Sequence, residues 1–211
     1  MIKTVFTISL LSISVFIGSC QSKKNQESTT KNSSELRPSS YAYFSSGCFW
    51  CVEAIFERVE GVTEAVSGYS GGTEKNPTYQ NLGSHAETVM VLYDSNVVDF
   101  PTLLKVYYGS QNPTTIGQKP DFGSHYRSII FYQNNIEKQF AENYKAMLDD
   151  SKKYDNPVIT EVMAFEKFWK AEEYHQNYEK LHPNETYVKS VSIPRLQKFQ
   201  RLFPKLLKKS H

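Results

Sequence analysis

Cysteine is scarce in this sequence, with three in 211 residues. That excludes a disulfide framework and a four-cysteine zinc site. The five histidines are not grouped, so they offer no obvious set of metal ligands. Neither common type of phosphate-binding glycine loop occurs, and there is no internal repeat. The apolar run from Val5 to Ile17 falls short of the ~20 residues that cross a bilayer. A strong charge of one sign is also missing, because 24 basic side chains meet 22 acidic ones. What is present is 39% hydrophobic and 14% aromatic residues, enough to bury a core and rule out wholesale disorder. The length fits one ordinary domain with trimmings, or at most two small ones.

The net charge of +2 averages three unlike regions. Residues 1–40 carry +3, residues 41–185 carry −8 and residues 186–211 carry +7. The domain-sized part is acidic, so no nucleic-acid partner is expected. At the amino terminus, Lys3 and the run to Ile17 have the size of a signal-peptide core. Ile17-Gly18-Ser19-Cys20 then sets an apolar residue and two small ones before a cysteine, which resembles the bacterial lipobox. That resemblance implies a lipoprotein signal over residues 1–19 and lipid on Cys20. It also implies membrane anchoring in the bacterial cell envelope, on the periplasmic or extracellular side. An ordinary secretory signal with an incidental Cys20 is the alternative. Residues 20–40 are polar and almost free of apolar side chains, as a flexible tether would be.

From Tyr41 the pattern becomes that of a folded domain, expected over residues 41–185. Tyr41 to Ser45 reads as a short strand and Ser46-Gly47 as a turn. Val52, Ile55, Phe56 and Val59 then mark one face of a helix ended by Gly61. Val62 to Val66 is a second strand, followed by a loop from Gly68 to Gly72. Ala86 to Tyr93 is a strand, and Phe100, Leu103, Leu104 and Tyr107 mark a helix that Asp99 caps and Pro101 starts. Ser128 to Tyr132 and Val158 to Phe165 are further strands. Between them Ile136, Phe140, Tyr144, Met147 and Leu148 keep helical spacing. Tyr174 to Leu181 reads as a short helix. Strands interleaved with helices across uneven loops predict one α+β domain.

The most informative stretch is Gly47-Cys48-Phe49-Trp50-Cys51-Val52-Glu53. Cys48 falls at a helix start, where unpaired N–H groups and the helix dipole favour its thiolate. Cys51 lies one turn on, and that spacing brings the two Cα atoms to about 5 Å, inside the window for a disulfide. Reversible two-electron sulfur chemistry is therefore possible. Two buried structural cysteines, or half a zinc site, are the blander readings. Cys-x-x-Cys by itself suggests a thioredoxin-like oxidoreductase, yet Phe49 and Trp50 look like the wall of a small apolar pocket.

Gly47-Cys48-Phe49-Trp50 followed by Glu53 resembles the active-site signature of the A-type peptide methionine sulfoxide reductases. Further matching segments follow in order: Gly68-Tyr69-Ser70-Gly71-Gly72, Asn76-Pro77-Thr78-Tyr79, His85-Ala86-Glu87, Gly123 to Ser128 and Ala171 to Tyr178. The resemblance implies a single two-layer α+β domain with a ferredoxin-like βαβ core and long loops. It implies that Cys48 attacks the sulfoxide sulfur and becomes a sulfenic acid. Phe49 and Trp50 would hold the S-methyl group, and Glu87 would protonate the sulfoxide oxygen. Tyr69 and Tyr126 would donate hydrogen bonds to that oxygen, with Asp121 in support. Glu87 shares strand parity with Val89, Val91 and Tyr93, so burial should keep it protonated. No cysteine follows Cys51, so the resemblance implies a Cys48–Cys51 disulfide recycled by a thioredoxin-like dithiol donor. The implied substrates are the S epimer of methionine sulfoxide in oxidised proteins and peptides, with no metal or organic cofactor and a monomeric enzyme. A general thiol–disulfide oxidoreductase of the envelope is the alternative.

The segment 186–211 alternates bases with Leu196, Phe199, Phe203, Leu206 and Leu207 in helical phase, and Pro204 should interrupt any helix. Such a basic amphipathic tail can dock on its own acidic domain or adhere to anionic lipid.

Overall fold

The computed structural model describes residues 39–209. The expected signal peptide, Cys20 and all but the end of the tether lie outside the described residues. Strand β1 (Ser39–Ser45) leads through Gly47 into helix α1 (Phe49–Glu57). Gly47 has φ +75, and a Cβ there would press on the Gln118 side chain at 2.9 Å, so this sharp entry needs glycine. Strands β2 (Val62–Ser70) and β3 (Ala86–Asp94) follow, then helix α2 (Phe100–Gly109). Asp99 caps α2 by accepting from the Thr102 amide at 2.9 Å, and Pro101 sits in its first turn. The two-residue strands β4 (Gly117–Gln118) and β5 (Asp121–Phe122) form a separate ribbon. Strand β6 (Ile129–Tyr132), helix α3 (Asn135–Asp150) and strands β7 (Glu161–Ala164) and β8 (Trp169–Lys170) come next. Two short helical pieces end the domain: α4 (Tyr178–Leu181) and α5 (Ile193–Leu202).

The main sheet runs β7-β6-β1-β3-β2-β8. Its central four strands, with α1 and α2 as crossovers, make the βαββαβ arrangement of a ferredoxin-like core. Both β1 and β2 pair antiparallel with β3 between them, while β6 and β7 are parallel, so the sheet is mixed. Phe44, Val89 and Val91 face the helices and meet Ile55, Phe56, Leu103 and Leu104 in the main core. The opposite face is closed by Tyr43, Ile129 and Phe131 beneath Phe165 and Phe168. Both faces are thus covered, and most sheet residues are buried.

Several expectations shift. Strand β2 runs past Val66 to Ser70, so Gly68 and Tyr69 belong to a strand rather than a loop. Their pairing with β3 and β8 explains the extension. A Cβ on Gly68 would sit 2.4 Å from the Trp169 carbonyl oxygen, so glycine is what lets β8 approach. Strand β7 is shorter than Val158–Phe165. Tyr174–Leu181 is broken by Asn177 at φ 53, a left-handed residue that leaves only Tyr178–Leu181 as α-helix. Helix α3 forms as its spacing predicts, but it packs at the β6–β7 edge. Ile136, Phe140 and Met147 therefore stay exposed while Leu148 is buried.

The basic carboxy-terminal segment docks on the domain. A single π-helical turn, Val188–Ser192, runs into α5, whose Leu196 and Phe199 are buried against α1. The looser turn accommodates Pro194, which has no N–H to give. The chain then leaves the helix before Pro204, and backbone bonds from Glu60 N to Leu206 O and from Lys208 N to Arg58 O, both 2.8 Å, fasten it to the end of α1. No helix among the described residues is long and apolar enough to cross a membrane.

Candidate active site

Cys48 is the residue from which α1 starts, at the end of the β1 turn. Its side chain lines a cavity of about 170 Å³ together with Phe49, Trp50, Tyr79, Glu87, Asp121, Tyr126, Tyr178, Glu185 and Tyr187. A larger open groove of about 700 Å³ lies beyond Trp50 and Tyr178, but neither cysteine borders it. The smaller cavity is where the chemistry-bearing side chains meet.

Its wall is aromatic. Trp50 stacks on Tyr178 with ring centres 3.7 Å apart and planes 6° from parallel. Behind it, buried His175 accepts the Trp50 indole N–H at Nδ1, 3.1 Å away, which fixes the ring's orientation. Phe49 is buried, its ring tilted against those of His175 and Tyr69.

Glu87 brings a buried carboxyl to the same cavity. It is 3% exposed, like its β3 neighbours Val89, Val91 and Tyr93, so the parity expectation matches its position. Burial raises its carboxyl to about 8, outweighing the amide of Phe49, which donates to Glu87 Oε2 at 2.8 Å. That bond also corrects one expectation. The first free N–H of α1 is taken by Glu87 and is not left for the Cys48 sulfur. Burial pushes the Cys48 thiol well above its ordinary range, and the neighbouring Cys51 adds to the rise. Cys51, also buried, moves the other way to about 6, first through its hydrogen bond with the Cys48 thiol and further through the charge of Arg195. Burial thus opposes ionisation at Cys48, while the partner thiol and the positive charge of Arg195 favour it at Cys51. Both cysteines are free.

The tyrosines are rearranged relative to expectation. Tyr126 lines the cavity. Tyr69 does not, because as part of β2 its side chain is locked beneath the surface and its hydroxyl donates to Glu172 Oε2 at 2.7 Å. Glu172 Oε1 in turn accepts from the Tyr79 amide at 3.0 Å. The phenol that faces the cavity beside Tyr126 is therefore Tyr79. Burial raises both, so each is a neutral donor at ordinary pH. Tyr79 belongs to the same Asn76-Pro77-Thr78-Tyr79 segment already singled out, so the signal was present but was assigned to the wrong tyrosine. Asp121, in β5, accepts a hydrogen bond from the Tyr187 hydroxyl. That hydroxyl also reaches Cys51 Sγ at 3.9 Å. Tyr187 and Glu185 were not predicted, since only the return of the carboxy-terminal segment brings them here.

A sulfur nucleophile, a buried neutral acid, two phenol donors and an aromatic wall converge on a space the size of a small side-chain tip. No cluster of three or more metal-ligating side chains occurs among the described residues. A sequence model of the peptide methionine sulfoxide reductases matches residues 40–206. The chain belongs to that family. A methionine sulfoxide reductase of Natronomonas pharaonis is 41% identical over 167 residues, covering 77% of this chain and 94% of that protein. Another, from Rhodopirellula baltica, is 41% identical over 174 residues, covering 80% and 90%. Among solved structures, methionine sulfoxide reductase A of Corynebacterium diphtheriae superposes with a TM-score of 0.63 at 28% identity, covering 71% of this chain and 79% of that one. Membership of this reductase family makes the chain an oxidoreductase acting on sulfur and accounts for the absence of any cofactor requirement.

Proposed function

We propose that this reductase repairs oxidised methionine in proteins and peptides by the following division of labour. The sulfoxide side chain enters the cavity with its methyl group against Phe49, Trp50 and Tyr178. Its oxygen lies among Tyr79, Tyr126 and Glu87. As Cys48 attacks the sulfur, its proton crosses the thiol–thiol hydrogen bond to Cys51. Glu87 protonates the departing oxygen, which is transferred to give a sulfenic acid on Cys48 and free methionine thioether. The phenols stabilise charge that builds on oxygen as the S–O bond breaks. Cys51 then attacks the sulfenic sulfur, water leaves and a Cys48–Cys51 disulfide forms. A thioredoxin-like dithiol restores the pair by exchange.

The observation that carries this reading is the convergence of Cys48 with a buried, neutral Glu87 on one small aromatic cavity. It also weighs against a general disulfide carrier, which has no use for a buried neutral carboxyl and two phenols beside its sulfur. The test is turnover of the two epimers of a methionine sulfoxide peptide with dithiothreitol. The S epimer should be reduced and the R epimer left; reduction of neither epimer would sink the proposal.

We further infer that the protein is held at the cell envelope by lipid on Cys20, a reading supported by Ile17-Gly18-Ser19-Cys20 after an apolar run. Cys20→Ala should shift the protein from the membrane fraction to the soluble one. Unchanged membrane association would contradict the anchor.

A further inference from the structure

The reductase chemistry uses the cysteines and the cavity, but it leaves the docked carboxy-terminal helix without a task. That helix is more than a cover. From the first turn of α5, Arg195 reaches under the site: its Nε donates to Ser110 O at 2.8 Å and its Nη2 to Ser46 O at 3.0 Å and Ser46 Oγ at 3.2 Å. Ser46 is the turn residue two positions before Cys48. The guanidinium is half-buried and all its acceptors are neutral. Among the described residues no carboxylate forms an ion pair with it. Its charge therefore sits without a carboxylate partner on the turn that leads into the Cys48–Cys51 segment of α1, against which α5 packs. Ser192, fully buried one turn earlier, donates its hydroxyl to Glu179 next to Tyr178 on α4.

We propose that Arg195 is a positioning residue for the resolving step, placing a fixed positive charge beside Cys51 so that its thiolate closes the Cys48–Cys51 disulfide. The inference rests on the resolving role of Cys51 given above. In that step the Cys51 sulfur forms a bond to the Cys48 sulfur, the S–O bond of the sulfenic acid breaks, and the hydroxyl leaves as water. Cys51 gives up its proton to the Glu87 carboxylate as it becomes the attacking thiolate, and Glu87 returns that proton to the departing hydroxyl, so the step balances with no outside acid. A nearby cation raises the share of attacking thiolate, which matters because the thiolate is the nucleophile.

The groups facing Cys51 from the elements around it make Arg195 the odd one out. Cys48 lies on its own turn. Glu87 faces it from β3, Asp121 from β5 through Tyr187, and Glu179 from α4 through Ser192. All of these are acids when they ionise. Arg195 is the only cation in that set.

The test follows disulfide closure in a single turnover without reductant, by quenching with a maleimide and counting free thiols across pH. Arg195→Gln keeps hydrogen-bond donors but removes the charge. Arg195→Lys keeps the charge but loses the fork. The burst of one methionine per enzyme, measured in the same samples, reports that each variant is folded and able to form the sulfenic acid. With Arg195→Gln, the pH midpoint of closure should move up by about one unit, so that closure slows about tenfold at pH values well below the wild-type midpoint and far less above it, while Arg195→Lys should recover most of the rate. A glutamine variant with the wild-type pH profile would overturn the inference, as would a lysine variant no better than glutamine. If wild type itself kept two free thiols after its burst, the resolving role of Cys51 would fall, and Arg195 with it. That result is separable, because it needs no Arg195 variant.

Discussion

At the scale of single residues, position in the fold decides chemistry that residue type leaves open. Glu87 is an acid at neutral pH because β3 carries it into the core and burial outweighs the one amide that stabilises its charge. Reduction by this enzyme should therefore fall as pH rises through about 8, where Glu87 loses its proton. Glu87→Gln should slow the first turnover by about 10²–10³ and abolish that alkaline limb, as single-turnover rates across pH would show. The tyrosines separate more sharply. Tyr79→Phe removes a donor from the cavity and should lower kcat at least tenfold, on the order of one lost oxyanion donor or somewhat less. Tyr69→Phe leaves Glu172 without its partner behind the wall. It should cost about 1–3 kcal/mol of stability, read from denaturation, and affect the rate less. A larger loss of rate from Tyr69→Phe than from Tyr79→Phe would reverse the assignment.

At the scale of elements, hydrophobic period was enough for β1, β3 and helices α1 to α3, whose apolar positions recur at two or at three and four residues. It failed where tertiary contacts override local chemistry. Ser67-Gly68-Tyr69-Ser70 reads as a turn by composition, yet pairing on both sides with β3 and β8 makes it strand. As a strand residue Tyr69, expected at the site, is held beneath the surface, and Tyr79 lines the cavity in its place. Cys48, Phe49, Trp50 and Glu87 were legible because short segments carry them. Tyr187 was not, because it reaches Cys51 only when residues 186–209 fold back over α1. Phe199, 1% exposed under that return, should matter to the whole domain. Phe199→Ala should cost about 3–5 kcal/mol and lower Tm clearly; a Tm unchanged from wild type would show the helix to be dispensable.

At the scale of the molecule, two of the carboxyls buried in the domain, Glu53 and Glu87, affect stability. Glu53 is raised by burial to about 7 and Glu87 to about 8, against an ordinary 4.5. Glu53 is nonetheless tied in, accepting from Ser67 Oγ on β2 and from Asn177 N ahead of Tyr178. Since the folded state holds these protons more tightly than the unfolded chain, their contribution is full below about pH 4.5. It is lost as pH rises through 7 to 8. Denaturant midpoints should accordingly fall from about pH 5 to about pH 9, and Glu87→Gln should flatten part of that fall. The acidic domain and its basic return segment form one unit, which makes α5 part of the enzyme and not an appendage. The central claim is that Cys48 takes the oxygen and Cys51 clears it. It is tested most directly by giving one equivalent of the S-epimer sulfoxide peptide to each protein without reductant, then counting methionine and thiols. Wild type should yield one methionine and a Cys48–Cys51 disulfide. Cys51→Ser should yield one methionine and a trappable sulfenic acid on Cys48, and Cys48→Ser should yield neither. Methionine released by Cys48→Ser, or no burst from Cys51→Ser, would contradict the account.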